Sequence, residues 1–201
     1  MNWPTLPGET PIDDISGLKL RDVSTREQLN LAEARNILKV AVKYLATRPS
    51  KRSAKFDFSW MLRLHREMFG DVWEWAGQVR TRDLNLGVPF YLVNQELQNL
   101  LGDLLAWRQF GHDLVGQAAR LHYRAVRIHP FLNGNGRWSR MLANIWLKLN
   151  RSDIIVWPEK TIGKESVVRA EYIAAIQAAD RGDEGPFLEL HRRFHGRQET
   201  E

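Results

Sequence analysis

Apolar residues recur every three to four positions along most of the chain, which is the spacing of amphipathic helices. The first such run starts at a hydroxyl cap, Ser24 or Thr25, followed by Glu27 and Gln28 as in a capping box. Pro49 ends the run, because a proline cannot continue a helix. The pattern therefore predicts a long first helix with this buried face: Leu29, Ala32, Ile37, Val40, Ala41 and Tyr44.

The same spacing predicts six further helices. They run from Asp57 or Ser59 to Gly70, from Val93 to Phe110, from Leu114 to Ile128, from Gly136 to Leu149, from Glu165 to Ala179, and onward from Gly185-Pro186. Between Thr81 and Val93 the pattern changes to short alternation broken by Gly87 and Pro89, which is typical of a β-hairpin or an irregular flap. We predict a mainly α fold, a bundle of about seven helices with a small β-hairpin flap.

One folded domain with two short ends is expected. The 201 residues, 43% of them hydrophobic, are enough for a single core. Residues 1–21 contain Pro4, Pro7 and Pro11 and are predicted to form an extended N-terminal arm. The domain then covers residues 22–195, and residues 196–201 form a polar tail that should fray.

Composition restricts the compartment and the partners. The chain has no cysteine, which excludes disulfides and thiolate metal sites. It has no run of 18 apolar residues and no basic, apolar N-terminal leader, so we expect a cytoplasmic protein without a membrane partner. The net charge of +5 is spread over most helices rather than gathered in one block, so nucleic-acid binding is not expected.

Residues 129–140 form a loop that enters a helix, and they carry the chemistry. Gly134 and Gly136 allow the backbone to take positive φ and to approach a ligand closely. Amide groups at the start of the following helix have no intrahelical partner and lie at the positive end of its dipole, so they can bind an anion. Arg137 and Arg140 can add planar forks suited to phosphate oxygens. The loop therefore predicts a phosphate site.

A general base stands at the start of the same loop. An imidazole such as that of His129 titrates near neutral pH and can take a proton from an attacking hydroxyl. A base beside an anion site is the minimum for nucleotidyl or phosphoryl transfer. The alternative is a glycine-rich helix cap with a satisfied loop histidine, but the joint presence of histidine, glycines, asparagine and two arginines favours function. For His65, His122 and Tyr172, core packing is the simpler interpretation.

The loop resembles the signature of the Fic family, HPFx(D/E)GNGRxxR, at every specified position except Asn133. Residues 73–80, Trp-Glu-Trp-Ala-Gly-Gln-Val-Arg, are similar to the WAGxxR segment that precedes the Fic flap. The resemblance covers roughly Asp22 to Phe194. It implies a Fic-type helical bundle that transfers AMP from ATP to a hydroxyl of a target protein and releases pyrophosphate, with Mg²⁺ as the cofactor.

The resemblance also implies a role for each residue of the loop. His129 resembles the general base, and Phe131 resembles the buried anchor of the loop. Arg137 resembles the contact to the α- and β-phosphates, and Arg140 the contact to the γ-phosphate. The residues that resemble the anion nest are Gly134, Asn135 and Gly136.

Asn133 stands where the family usually has its Mg²⁺-binding acid. An amide oxygen offers a ligand without the charge, so a weak metal site is expected, although the nucleotide phosphates could still carry the ion. The N-terminal region resembles a Fic subgroup called mobile mystery protein B, in which asparagine at this position would be a shared trait. The loop differs from the phosphorylating Doc branch, which has lysine in place of the second glycine.

Many Fic proteins carry a helix whose glutamate pairs with the second motif arginine and blocks the γ-phosphate site. The inhibitory pattern of the family, (S/T)xxxE(G/N), is not matched, because Leu29 occupies the hydroxyl position before Glu33. Glu33 or Glu27 could still inhibit by charge alone, by pairing with Arg140. The alternative, a surface acid on an amphipathic helix, is favoured.

The resemblance implies a protein adenylyltransferase that binds its target protein on the 81–93 flap by strand addition. An inhibitory helix or an antitoxin, as in toxin-antitoxin pairs, is a further expected partner. Two alternatives remain open. One is another Fic-type transfer of a phosphate-containing group, or de-AMPylation. The other is a nucleotide-binding module with weak or no turnover, because Asn133 replaces the acid.

Overall fold

The structure is a computed structural model that describes residues 16–109, 113–158 and 166–197. Within these residues the chain forms seven α-helices. The helices are α1 Arg26–Leu45, α2 Phe58–Phe69, α3 Val93–Gln109, α4 Leu114–Ile128, α5 Asn135–Leu149, α6 Val167–Asp180 and α7 Gly185–Phe194. A short 3₁₀ helix, Phe90–Leu92, precedes α3. The prediction of a mainly α bundle is confirmed. Within these residues, no helix combines the length and apolar character needed to cross a bilayer.

Polar caps begin the helices where the sequence predicted them. The Thr25 hydroxyl accepts from the amide of Gln28 at 3.2 Å, and the Gln28 side chain accepts from the amide of Thr25 at 3.2 Å, which completes a capping box. The Asp57 carboxylate accepts from the amide of Trp60 at 2.7 Å. Each of these bonds satisfies an amide that the helix itself leaves unpaired.

Helix α5 lies at the centre of the molecule, with twelve of its fifteen residues buried. One face packs into a large cluster with α1, α2 and α3, built around Trp60, Phe131 and Trp138. Ala143 and Leu147 on another face join a second cluster with α6 and α7. Because α5 is held on several sides, its first turn is fixed in space.

The buried face of α1 differs from the predicted one. Val40 and Tyr44 are buried as predicted, but Glu33 and Asn36 also lie on this face and are almost fully buried. Helical periodicity identified the correct side of the helix. It could not show that the polar residues Glu33 and Asn36 also point inward, because a buried polar side chain needs partners from elsewhere in the fold.

The predicted β-hairpin is not formed: residues 81–89 contain no strand. Side chains bind the backbone groups that a hairpin would pair. The Arg80 guanidinium donates to the carbonyls of Arg82 and Val88, and the Asp83 carboxylate accepts from the amide of Phe90 at 2.8 Å. Pro89 has no amide to donate to a ladder. The flap, residues 81–93, is therefore an irregular segment ending in the 3₁₀ helix.

The first described residues form a short pairing with the segment that follows α2. The amide of Lys19 donates to the carbonyl of Val72 at 2.9 Å, and the amide of Glu74 donates to the carbonyl of Gly17 at 2.9 Å. Residues 16–20 thus lie against the segment that follows α2. The rest of the predicted arm, with its three prolines, and residues 198–201 of the predicted tail lie outside the described residues.

A buried chain of hydrogen bonds joins α4, α6 and α7. His191 Nδ1 lies 2.8 Å from the carbonyl of Phe187, so it must carry the proton and donate. His191 Nε2 is then the acceptor for His122 Nδ1 at 3.0 Å, and His122 Nε2 accepts from the Tyr172 hydroxyl at 3.0 Å. His122 and Tyr172 are thus buried in the core, as predicted.

Burial keeps the imidazoles of His122 and His191 neutral. It lowers the pKa of His191 from 6.5 to about 4. It also lowers the pKa of His122 well below 6.5, and the nearby His191 and Arg140 lower it further. An unfolded chain would bind protons at both positions below about pH 6.5, whereas the folded chain would not.

We therefore expect the folded state to be acid-labile. The stabilisation is complete above about pH 6.5 and is lost as the pH falls toward about 4, at on the order of 1 kcal/mol per pH unit for each such histidine. Denaturant unfolding between pH 7.5 and 5 measures this dependence. His191→Gln should make it shallower, because it removes one of the two buried neutral imidazoles. The same steepness in His191→Gln as in the wild type would contradict the assignment.

Candidate active site

The turn from α4 into α5 has two left-handed residues. His129 caps the C-terminus of α4 with φ 52° and ψ 60°, and Gly134 precedes the first residue of α5 with φ 78°. Left-handed backbone costs a residue with a Cβ about 1–2 kcal/mol, so His129 must be held by its surroundings. Its carbonyl accepts from Arg80 Nε at 2.7 Å, and the carbonyl of Pro130 accepts from the Arg80 amide at 2.9 Å.

The His129 imidazole is a buried neutral base. Its Nδ1 donates to the carbonyl of Val126 at 3.3 Å, which leaves Nε2 as the basic nitrogen. Burial lowers the pKa of His129 from 6.5 to about 4, and the positive charge of Arg80 adds to that effect. The side chain is 7% exposed. At neutral pH it can therefore accept a proton from a hydroxyl that reaches it.

Phe131 and Asn135 fix the middle of the loop. Phe131 is fully buried, stacked on His65 with ring centroids 3.6 Å apart, and edge-on to Trp138 at 5.0 Å. The Asn135 side chain accepts from the amide of Phe131 at 2.9 Å and donates to its carbonyl at 2.8 Å. The side chain of Asn135 thus closes the loop on itself, and only its backbone amide can contribute to an anion nest.

His65 is a contact to the loop whose bonding partners the sequence did not reveal. It is buried, as a core histidine was expected to be. Its Nδ1 accepts from the amide of Gly77 at 2.9 Å, so Nε2 carries the proton and donates to the carbonyl of Asn133 at 3.1 Å. Burial lowers the pKa of His65 to about 3, which keeps this tautomer neutral. One feature of the sequence could have indicated these contacts, because a histidine on an apolar helix face needs partners for both ring nitrogens.

The surroundings of Asn133 do not suit a protein-held Mg²⁺ ion. Its side-chain oxygen accepts from the amide of Gly134 at 2.6 Å, and its carbonyl accepts from His65. In the part of the chain that the structure describes, no three histidine or acidic side chains gather to hold a metal. Magnesium is normally held by one or two carboxylates together with substrate phosphates. The donor atoms of the loop therefore do not fit the metal by themselves.

Glu33 lies at the loop, but it pairs with Arg137 and not with Arg140, as the inhibitory alternative required. Its carboxylate binds Arg137 Nη1 at 2.7 Å and accepts from Trp73 Nε1 at 2.7 Å. It is buried, so its interpretation as a surface acid is wrong. The Arg137 guanidinium also lies over the ring of Phe69, 4.9 Å from its centroid.

Glu27 does not share this position. It is exposed in the first turn of α1, six residues before Glu33. That separation is about 9 Å along the helix and about 120° around it. Glu27 therefore points away from the direction in which Glu33 reaches Arg137.

Arg140 lies one turn into α5, on the side of α4. It is buried, and its charge contributes to the lowered pKa of His122. A side chain added at Gly136 would come within 3.7 Å of its Nη1. The structure thus brings Arg140 close to the first turn of α5, while Arg137 is engaged with α1 and α2.

Gly134 allows the close packing that opens the helix. A Cβ at this position would lie 2.6 Å from a carbon of the Phe69 ring. Since Gly134 is the N-cap and has no side chain, it cannot cap the first amides of α5. These amides, at the positive end of the helix dipole, are the groups to which the sequence analysis assigned anion binding.

Comparisons with known proteins agree with this geometry. A model of the Fic/DOC family matches residues 55–147. Protein adenylyltransferase fic-1 of Caenorhabditis briggsae is 31% identical over 150 residues, which are 69% of this chain and 27% of that protein. The chain thus spans about a quarter of the length of this curated relative.

Solved structures of Fic proteins are also similar to this chain. Fic-1 from C. elegans superposes with a TM-score of 0.68 at 26% identity, covering 87% of this chain and 50% of that one. BepC from Bartonella tribocorum, solved with bound AMPPNP, superposes with a TM-score of 0.66 at 19% identity, covering 93% and 96%. The second likeness shows the fold alone.

Replacing Gly134 by alanine should disturb the site through the backbone. The new methyl group meets the Phe69 ring at a positive φ, so we expect a loss of about 1–3 kcal/mol in the free energy of unfolding and weaker ATP binding. Gly102→Ala is the matched control, because an added Cβ meets nothing within 4 Å inside α3. It should stabilise by about 0.5–1 kcal/mol. Denaturant melts measure the stability of each variant, and calorimetric titration measures its affinity for ATP. Equal effects of Gly134→Ala and Gly102→Ala would refute the packing argument.

Proposed function

Because residues 55–147 belong to the Fic/DOC family, we propose that the chain is a protein adenylyltransferase that transfers AMP from ATP to a Ser, Thr or Tyr hydroxyl of a target protein. The observation that carries the proposal is the pairing of a neutral, buried His129 with a glycine-capped helix start. In the reaction, His129 Nε2 takes the hydroxyl proton. The freed oxygen bonds to the α-phosphorus, and the bond from that phosphorus to the bridging oxygen breaks, which releases pyrophosphate.

The charges around the first turn of α5 would bind ATP and hold the leaving group. Backbone amides of residues 135–137 lie at the positive end of the helix and suit the bridging and β-phosphate oxygens. Arg137 and Arg140 would neutralise charge that develops on pyrophosphate as the bond breaks. No step is assigned to Mg²⁺, which the nucleotide phosphates themselves could carry.

Glu33 would act as a brake on this site. Its carboxylate engages Arg137, so an incoming phosphate would compete with it and lie near a negative charge. The indole of Trp73 holds the other oxygen of the same carboxylate, which restricts how far it can move aside. We therefore assign the predicted inhibitory role to Glu33 through Arg137, and not to Glu27.

The target protein would dock on the flap. The 3₁₀ turn that ends this segment exposes Phe90, Tyr91 and Leu92, with Tyr91 at 70% exposure. The proposed mode of docking is strand addition, in which an extended target chain pairs with backbone groups of the flap. An antitoxin or inhibitory helix is a second proposed partner, and the cytoplasm is the proposed compartment.

A second candidate function is a nucleotide-binding module with weak turnover. It is favoured by Asn133, which has no carboxylate to offer a metal and whose side-chain oxygen already accepts from the Gly134 amide at 2.6 Å. Transfer of another phosphate-containing group and de-AMPylation are further outcomes of the same geometry. ATP labelled at the α- or the γ-phosphate separates AMP transfer, which moves the α label to protein, from phosphoryl transfer, which moves the γ label.

Replacing His129 by alanine tests the proposed base. Transfer of label from α-labelled ATP should fall by on the order of 10²–10⁴, since general-base catalysis contributes that much. ATP affinity should change little, because the phosphates bind to the amides and arginines. Label transfer that persists in His129→Ala would refute the assignment of the base. Absence of transfer in the wild type, with ATP still bound, would favour the binding module.

Replacing Glu33 by glutamine tests the brake. The amide keeps an oxygen for Trp73 but removes the negative charge beside Arg137, so ATP should bind several-fold more tightly and label transfer should rise. Glu27→Gln is the matched control on the same helix and should leave both unchanged. Titration calorimetry with ATP gives the affinities, and an unchanged affinity in Glu33→Gln would show that the ion pair only stabilises the fold.

A further inference from the structure

Arg80 bonds to two parts of the candidate site at once. Its Nε donates to the carbonyl of His129 at 2.7 Å, and its Nη2 lies 3.5 Å from the carbonyl of Ile128. On the flap side, Nη1 donates to the carbonyl of Arg82 at 3.0 Å, and Nη2 donates to that of Val88. A single planar guanidinium therefore joins the backbone of the base to the backbone of the flap.

The side chain of Arg80 is fully buried in this position. Its nearby carboxylate, Asp83, lies 3.6 Å from Nη1 and is itself well exposed. The carbonyl oxygens thus provide most of the close partners of a buried cation. Lysine could not replace this arrangement, because an ammonium is a point charge without the planar fork that reaches both sides.

Gly87 provides a second, independent contact between the flap and the base. It has φ +101°, and a Cβ placed there would lie 2.6 Å from the Cβ of His129 and 2.9 Å from Arg80 Nη2. The flap backbone therefore packs directly on His129. This approach helps to exclude water from the imidazole and requires glycine at position 87.

His129 needs such support. It has a Cβ and is left-handed, a conformation that persists only where neighbouring groups determine it. The peptide group after His129 is held by the Arg80 side chain, and the next carbonyl, of Pro130, is held by the Arg80 amide at 2.9 Å. The orientation of the imidazole follows from that of the backbone beneath it.

We propose that Arg80 is a positioning residue that fixes His129 and the flap relative to each other. A target chain bound to the flap then presents its hydroxyl to a base that is already correctly oriented. This inference rests on the proposed function for its last step alone. The link between Arg80, the flap and His129 is a property of the folded chain and can be measured without any transfer reaction.

The test compares Arg80→Lys and Gly87→Ala with the wild type by NMR. Assigned histidine ring signals are followed as a function of pH, and amide exchange is measured for residues 83–92. In both variants the pKa of His129 should rise from about 4 toward its ordinary 6.5, because the imidazole becomes more exposed to water. Flap amides should exchange at least tenfold faster. The titration of His191 in the second core cluster should stay unchanged, as an internal control.

Arg124→Lys is the matched control for the first variant. Arg124 lies on the same helix as His129 but pairs at 2.8 Å with Asp103 of α3, so its replacement should move neither readout. Gly87→Ala lies in the exposed flap and does not remove a core side chain, so it keeps the test valid if Arg80→Lys does not fold. Unchanged His129 titration and flap exchange in Gly87→Ala, and in Arg80→Lys if it folds, would overturn the inference.

Transfer assays then separate the two proposals. With an active wild type, both variants should lose at least tenfold in kcat for label transfer while the Kd for ATP changes less than threefold. A loss confined to ATP affinity would overturn the positioning role. If the NMR readouts move as expected but the wild type transfers no label, the link between Arg80 and His129 stands and the adenylyltransferase proposal fails.

Discussion

A loop that runs through the interior must have its backbone polar groups satisfied by the protein itself, and this constraint shapes the whole site. Loops normally lie at the surface because water can bond to them there. Between α4 and α5, side chains take that role: Arg80 binds the carbonyl of His129, Asn135 binds both groups of Phe131, and His65 binds the carbonyl of Asn133. Three separate elements are thereby tied to one short turn, so its shape depends on the packing of the entire bundle.

Much of this could be read from the sequence, since periodicity predicts helices and the loop carries a recognisable signature. The caps at Thr25 and Asp57 followed from local rules, and the Fic resemblance agrees with the family match. The rest depended on tertiary contacts. Glu33 was expected at the surface but is buried, and only the positions of Arg137 and Trp73 explain a carboxylate there. The flap alternates as a strand would, but Arg80 takes the carbonyls that a hairpin would use.

The site combines features with opposite electrostatic demands. In the proposed reaction the base must stay neutral to accept a proton, as burial keeps His129, whereas the phosphates of ATP need positive charge close by. The fold separates these demands along the loop: the imidazole lies at the end of α4, and the charges lie at the start of α5. The Glu33 carboxylate offsets part of this positive charge by pairing with Arg137.

The chain of hydrogen bonds from Tyr172 through His122 to His191 runs in one direction, ending at the carbonyl of Phe187. Each ring nitrogen of His122 and His191 is fixed as a donor or as an acceptor. The residues at positions 122, 172 and 191 therefore cannot be replaced independently of one another. Phenylalanine at 172 would leave an acceptor on His122 without a proton, and a donor-only side chain at 191 would oppose the proton on His122 Nδ1. Across related proteins these three positions should therefore vary together, as one inherited unit that ties the last two helices to the helix bearing His129.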